Sequence, residues 1–149
     1  MNFFLDTSAL LKLYHDEEGT ENLWNLLIEN SSDLFLTISD LTPIEFHSAL
    51  LKRVRMEEIG LDTAIKIFTN FSKDLELMNI IEIDRSIKNF AVDLLKEHAS
   101  TKTLKTLDAL QLSSAIISNN NFTIDYFIAS DRRFLDLARL FFKTHNPVK

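Results

Sequence analysis

Four acids stand at the junctions of this chain: Asp6 in LDTSALLKLY, Glu45 in LTPIEFHSAL, Asp108 in TLDALQLSSA and Asp131 in IASDRRFLDLA. Brought together, they would form an all-oxygen acidic cluster. That is the ligand chemistry of Mg²⁺ or Mn²⁺, which take carboxylates and keep several waters. An ion held in this way lowers the pKa of bound water and holds phosphoryl oxygens. Zinc prefers Cys and His, and the chain has no cysteine. Thr7, Ser8 and Ser130 place hydroxyls beside two of the acids. The serines lack a matching base, which argues against covalent catalysis. Among the histidines, His15 lies in an acidic, loop-like stretch and His47 falls on a different helical face from Glu45. His98 ends a helical pattern, where a cation suits the dipole, and His145 lies in the tail.

Each acid also has a local explanation. Asp6 can cap a helix starting near Ala9, and Asp131 can cap a helix over Arg132–Phe142. Thr42-Pro43-Ile44-Glu45 reads as a capping box, with Thr42 at the N-cap and Glu45 three positions on. Asp108 falls in a first helical turn, where negative charge opposes the dipole favourably. Asp16-Glu17-Glu18 reads as a solvated loop.

The elements that must position these residues follow from apolar spacing. Short apolar runs at Asn2–Leu5, Leu34–Ile38, Ile80–Ile83 and Tyr126–Ala129 predict strands. Helical patterns cover Ala9–Tyr14, Thr20–Asn30, Leu41–Arg55, Leu61–Met78, Arg85–His98, Leu107–Asn119 and Asp131–Phe142. Strands alternating with helices predict an α/β fold around a parallel sheet. Ligands of open parallel sheets sit beyond the carboxyl ends of the strands, and Asp6 and Asp131 both fall at such ends.

Composition narrows the function classes. The 149 residues are 46% hydrophobic, sufficient for one domain with a real core. No apolar run approaches the roughly 20 residues of a membrane span, and the N-terminus lacks the basic region of a signal peptide. The absence of cysteine fits a reducing cytosol. Only Gly19 and Gly60 occur, so neither a Walker loop nor a dinucleotide fingerprint is present. The net charge of −6 is unusual for a nucleic-acid binder. Setting aside the four acids as ligands of a divalent cation leaves −2. Lys102, Lys105, Arg132 and Arg133 adjoin the acids in sequence, and Lys52, Arg53 and Arg55 extend the Glu45 helix. They would position phosphates or simply be solvated.

The four segments, in this order and spacing, resemble the PIN domain, and within it the VapC-type toxin ribonucleases. The resemblance runs nearly end to end. It implies a PIN-like three-layer fold over residues 1–149, with a central parallel sheet of four or five strands flanked by helices. It also implies a catalytic and metal-binding quartet of Asp6, Glu45, Asp108 and Asp131, supported by Thr7, Ser8 and Ser130, with Lys105, Arg132 and Arg133 positioning phosphate. The activity implied is Mg²⁺- or Mn²⁺-dependent endonucleolytic cleavage of RNA in the cytoplasm. The partner implied is a small cognate antitoxin, and a homodimer is a further use of the same helices.

Other readings remain open. Asp6 could be the nucleophile of an aspartyl-phosphate phosphatase, but Ser8 stands where a second Asp is wanted. A receiver-like phosphoacceptor lacks its lysine at a strand end. A PIN-like module could bind RNA or protein without cutting. The apolar stripe Leu61, Ile65, Phe68, Phe71, Leu75, Met78, beside an apolar arc on Leu41–Val54, predicts a groove for a partner's helix. Lys52, Arg53 and Arg55 would pair with that partner's acids. Phe68, Phe71 and Phe122 are the phenylalanines whose exposure matters most.

Overall fold

The structure is a computed structural model that describes residues 1–149. Its centre is a sheet of five strands: β1 (Asn2–Leu5), β2 (Phe35–Ser39), β3 (Asn79–Ile81), β4 (Tyr126–Ile128) and β5 (Thr144–His145). The order is β3-β2-β1-β4-β5, and every pairing is parallel. Seven α-helices flank it: α1 (Thr7–Leu11), α2 (Thr20–Glu29), α3 (Thr42–Arg55), α4 (Leu61–Asp74), α5 (Arg85–His98), α6 (Thr106–Ser118) and α7 (Arg132–Ala138). This is the PIN-like α/β architecture, in three layers.

The period-2 geometry of β1 produces the layers. Phe3 and Leu5 face one side, where they pack with α1, α2, α3 and α4 through Leu10, Leu23, Phe46, Leu50 and Phe71. Phe4 faces the other side and packs with α5, α6 and α7 through Leu94, Leu112 and Phe134. β4 repeats the alternation, sending Ile128 to the first core and Phe127 to the second. Phe4 and Phe127, paired in register, stack at 5.3 Å. Each fully buried Phe or Leu contributes about 1.5–3 kcal/mol.

Several boundaries differ from the sequence reading. The helix expected over Leu61–Met78 stops at Asp74 and tightens into a 3₁₀ turn at Leu75–Leu77, which delivers the chain to β3 one residue earlier than expected. The last helix is also shorter, ending at Ala138. β5 was not anticipated. It has only two residues, one of them His145, too few for any periodicity. His145 therefore lies in the sheet rather than in a tail. The segment after it, with Pro147 buried, runs against Gly19, whose φ of +91° suits glycine. A Cβ at Gly19 would stand 2.7 Å from the Pro147 carbonyl carbon, so the close approach excludes any side chain there. No helix is long and apolar enough to cross a membrane.

Candidate active site

The chain builds outward from β1 to β2 and β3 on one side, then returns to β4 and β5 on the other. The carboxyl ends of β1 and β4 therefore flank a topological switch point, where open parallel sheets form a crevice. Asp6 follows β1 directly and continues the ladder, its N–H donating to the Ile128 carbonyl at 3.0 Å. Extended φ and ψ make Asp6 the N-cap of α1. Its Oδ1 accepts from Ala9 N at 2.9 Å and from Ser8 Oγ at 2.7 Å. Across the crevice, the Ser130 N–H donates to Ser8 Oγ at 3.0 Å. Asp131 then caps α7, its Oδ1 accepting from Arg133 N at 2.8 Å and Phe134 N at 3.1 Å. The capping explanation is correct for both aspartates, and capping also orients them.

Glu45 reaches the same end from the first turn of α3. The expected capping box is absent. Thr42 is already helical and Leu41 caps without a side-chain bond. The Thr42 hydroxyl is fully buried and engaged with Gln111 and Ser39, so it is not free to cap. Glu45 turns outward, its Oε1 accepting from Thr7 Oγ1 at 2.8 Å and Gln111 Nε2 at 2.9 Å. Asp108 sits in the first turn of α6, with a long 3.4 Å bond from the Lys105 N–H to its Oδ2.

Charge couples the four acids. Asp108 and Glu45 both act on Asp6, and Asp131 and Glu45 both act on Asp108. The set is graded from interior to rim: Asp6 is 8% exposed, Glu45 and Asp108 are half-buried, and Asp131 is exposed. Burial is the largest influence on Asp6 and pushes its carboxyl from 3.8 up to about 7. The Ser8 hydroxyl and Ala9 N–H oppose that rise, while Asp108 and Glu45 add to it. Asp108 is also raised, first by burial and then by Asp131 and Glu45, against the pull of the Lys105 N–H and ammonium.

The acids are neighbours but do not close on a point. No three Asp, Glu or His side chains converge as a ready cage for a metal ion. Local donors hold each carboxylate in its own place. The donor set still fits a hard divalent cation. The bonds fall on Asp6 Oδ1, Glu45 Oε1, Asp108 Oδ2 and Asp131 Oδ1, leaving the other oxygen of each carboxylate without a protein partner. Ser130 Oγ is buried and also unpartnered.

The remaining candidates separate. Lys105 acts on Asp108, while Arg132 and Arg133 are exposed beside Asp131. Arg53 is bound to Glu17 at 2.7 Å, and Glu17 also takes Lys12 at 2.8 Å. The stretch read as a solvated loop thus contains a clamp between α1 and α3. His47 Nδ1 donates to the Pro43 carbonyl at 2.7 Å, and its ring stacks on Phe68 at 4.3 Å. The sequence reading missed Gln111, a buried amide within hydrogen-bonding distance of Glu45. Its position three residues after Asp108, on one face of α6, was the available signal.

The PIN domain family model matches residues 3–140, and the chain belongs to that family. No curated protein matches it in sequence. Among solved structures it is similar to VapBC2 from Rickettsia felis bound to a promoter DNA fragment, at 15% identity and TM-score 0.67, covering 98% of this chain and 100% of that one. VapC20 from Mycobacterium tuberculosis, described as a sarcin-ricin loop cleaving toxin, aligns at 17% identity and TM-score 0.65, covering 91% and 94%. A toxin–antitoxin complex from Klebsiella pneumoniae aligns at 18% identity and TM-score 0.62, covering 97% and 96%.

Proposed function

We propose that this chain is a single nuclease domain over residues 1–149, a VapC-type toxin that hydrolyses RNA phosphodiester bonds with Mg²⁺ or Mn²⁺. One observation carries the reading: in a PIN-family chain, four acids linked through Asp6 and Asp108 lie at the carboxyl edge of the sheet, each with an oxygen that has no protein partner. Asp6, Glu45, Asp108 and Asp131 would hold the ion, which supplies an activated water and neutralises charge on the phosphate. Asp6 forms the buried floor, and Ser8 and Ala9 fix its orientation. Thr7 fixes Glu45. Ser130 keeps a buried, unpartnered hydroxyl next to Asp131 in sequence. Lys105, Arg132 and Arg133 are exposed and would hold backbone phosphates without reading sequence. The cytoplasm, where RNA is available, is the compartment this activity requires.

The partner would be a small antitoxin that presents an apolar helix. The predicted groove beside α4 is only partly consumed by the core: Phe71 is fully buried, but Phe68 and Leu75 are half-buried. The groove that does open, of about 420 Å³, lies elsewhere than between α3 and α4: it runs between α2 and the turn at Leu75–Leu77 and is lined by Tyr14, Trp24, Ile28, Leu36, Leu77 and Met78. Its size and apolar lining suit a helix laid along it. Arg53, already paired with Glu17, is not a free charge for that partner. A homodimer would use the outer faces of α3 and α4, where Ile44, Leu61 and Ile65 are exposed.

A non-catalytic RNA- or protein-binding module is the second reading. Incubating the protein with total cellular RNA, with Mn²⁺ or with chelator, separates the two. Cleavage by the wild type with Mn²⁺, and by neither the chelated protein nor Asp6→Asn, supports the nuclease. Binding without any cleavage under all conditions supports the module.

A further inference from the structure

We infer that Gln111 is a positioning residue that fixes the carboxylate of Glu45, saturating one oxygen and presenting the other to the acidic cluster. This rests on the reading of the four acids as a metal site.

Gln111 is 3% exposed. A primary amide buried that deeply is tolerated only when its hydrogen bonds are made. Its Nε2 donates to Glu45 Oε1 and to Thr42 Oγ1, both at 2.9 Å, with a longer 3.4 Å approach to Thr7 Oγ1. Its Oε1 accepts from Ser39 Oγ at 3.2 Å. The two N–H groups are thus used, and one amide joins α6 to the end of β2, the start of α3 and, through Thr7, the start of α1.

Other buried polar residues of α6 do not do this. Ser114 and Ser118 return their hydroxyls to helix carbonyls at Leu110 and Ala115. Gln111 alone on that helix sends its polar group across to another element and onto a cluster acid. Asp108, three residues earlier, lies on the same face, so one stretch of α6 would supply one ligand and set the orientation of another. With Thr7 and Gln111 both on Oε1, rotation of the carboxylate would break two bonds. Oε2 is therefore the oxygen presented to the site.

Residues behind a ligand typically change metal affinity by about 10–100-fold when removed. The test is a double-mutant cycle on Mn²⁺ binding, measured with the full chain by electron paramagnetic resonance titration of free Mn²⁺. Gln111→Met keeps the volume and removes the amide. The expected result is a loss of about 10-fold in Gln111→Met, a loss in Glu45→Gln, and no further loss when the two are combined. Full additivity overturns the inference, because a merely structural glutamine would act independently of Glu45. A second readout needs no metal. The side-chain amide resonances of Gln111 in a ¹⁵N–¹H spectrum should be protected from exchange and should move in Glu45→Gln. If they are unprotected or unmoved, the inference fails even where the variants fold poorly. A wild type that binds no Mn²⁺ overturns the metal reading and, with it, the role in affinity. The amide resonances then decide separately whether Gln111 holds Glu45.

Discussion

Ser8 holds Asp6 and Ser130 together: its hydroxyl donates to Asp6 Oδ1 at 2.7 Å and accepts the Ser130 N–H at 3.0 Å. The loops after β1 and β4 are thereby pinned to each other across the crevice. Asp6 is held rigidly in a place where its charge is disfavoured.

That burial has a pH consequence. The Asp6 carboxyl rises from 3.8 to about 7 on folding. Between those values the folded chain binds more protons than the unfolded chain, so stability falls as pH rises through that window. The loss from Asp6 is on the order of a few kcal/mol at most. Asp6→Asn keeps a capping acceptor and removes the titration. In chelating buffer, the wild-type Tm should fall from pH 5 to pH 8. The variant should fall less and melt above the wild type at pH 8. Parallel curves would show that Asp6 is not the buried acid described.

Divalent cations should reverse the effect. Binding at a hundred times Kd adds about 2.7 kcal/mol, which for a domain of this size is on the order of 5–10 °C in Tm. The shift with Mn²⁺ should be large at pH 7.5, small at pH 5 and reduced in Asp6→Asn and Asp108→Asn. An unchanged melting curve over a broad Mn²⁺ titration counts against the site.

On the proposed reading, in which the four acids jointly hold divalent metal, they should act as a unit. Single amide substitutions at Asp6, Glu45, Asp108 or Asp131 should each abolish most RNA cleavage, and double variants should lose little more. Near-normal single-turnover cleavage by Asp108→Asn would remove it from the catalytic set.

Glu17 should matter to stability despite its acidic, loop-like neighbourhood. Lys12 is 5% exposed and pairs with Glu17. Glu17→Ala leaves that ammonium without its partner, at a cost of about 1–3 kcal/mol because Glu17 itself is partly solvated. Urea denaturation measures this. A change within a few tenths of a kcal/mol would restore the solvated-loop reading.

The groove can be tested without touching the acids. Leu77 is 84% exposed and Ile28 is 64% exposed, so Leu77→Asp and Ile28→Asp should fold normally. Each should weaken binding of the co-expressed antitoxin about tenfold or more. Trp24, the only tryptophan, lines the groove, and its emission should shift to the blue on complex formation. Unchanged affinity in both variants places the partner elsewhere.

The positions of all four acids at strand ends and first turns were legible in the sequence. Asp6 and Asp131 bond to N–H groups two or three residues away, and such local chemistry is written in adjacent residues. The strands β1, β2 and β4 and the flanking helices were also legible, because burial on one or both faces imposes a period within a single segment. β5 has no such period, and it forms only because β4 offers an edge. Glu45 looked like a cap and is not one, because Thr7 and Gln111, 38 and 66 positions away, offer it better donors. Glu17 looked solvated and is clamped, because packing of α1 on α3 brings Lys12 and Arg53 to either side of it. The sequence by itself determined which residues carry charge, hydroxyl or amide. Only the tertiary structure decided which of them meet, because a polar group takes its best available partner and distant partners become available only once the layers pack.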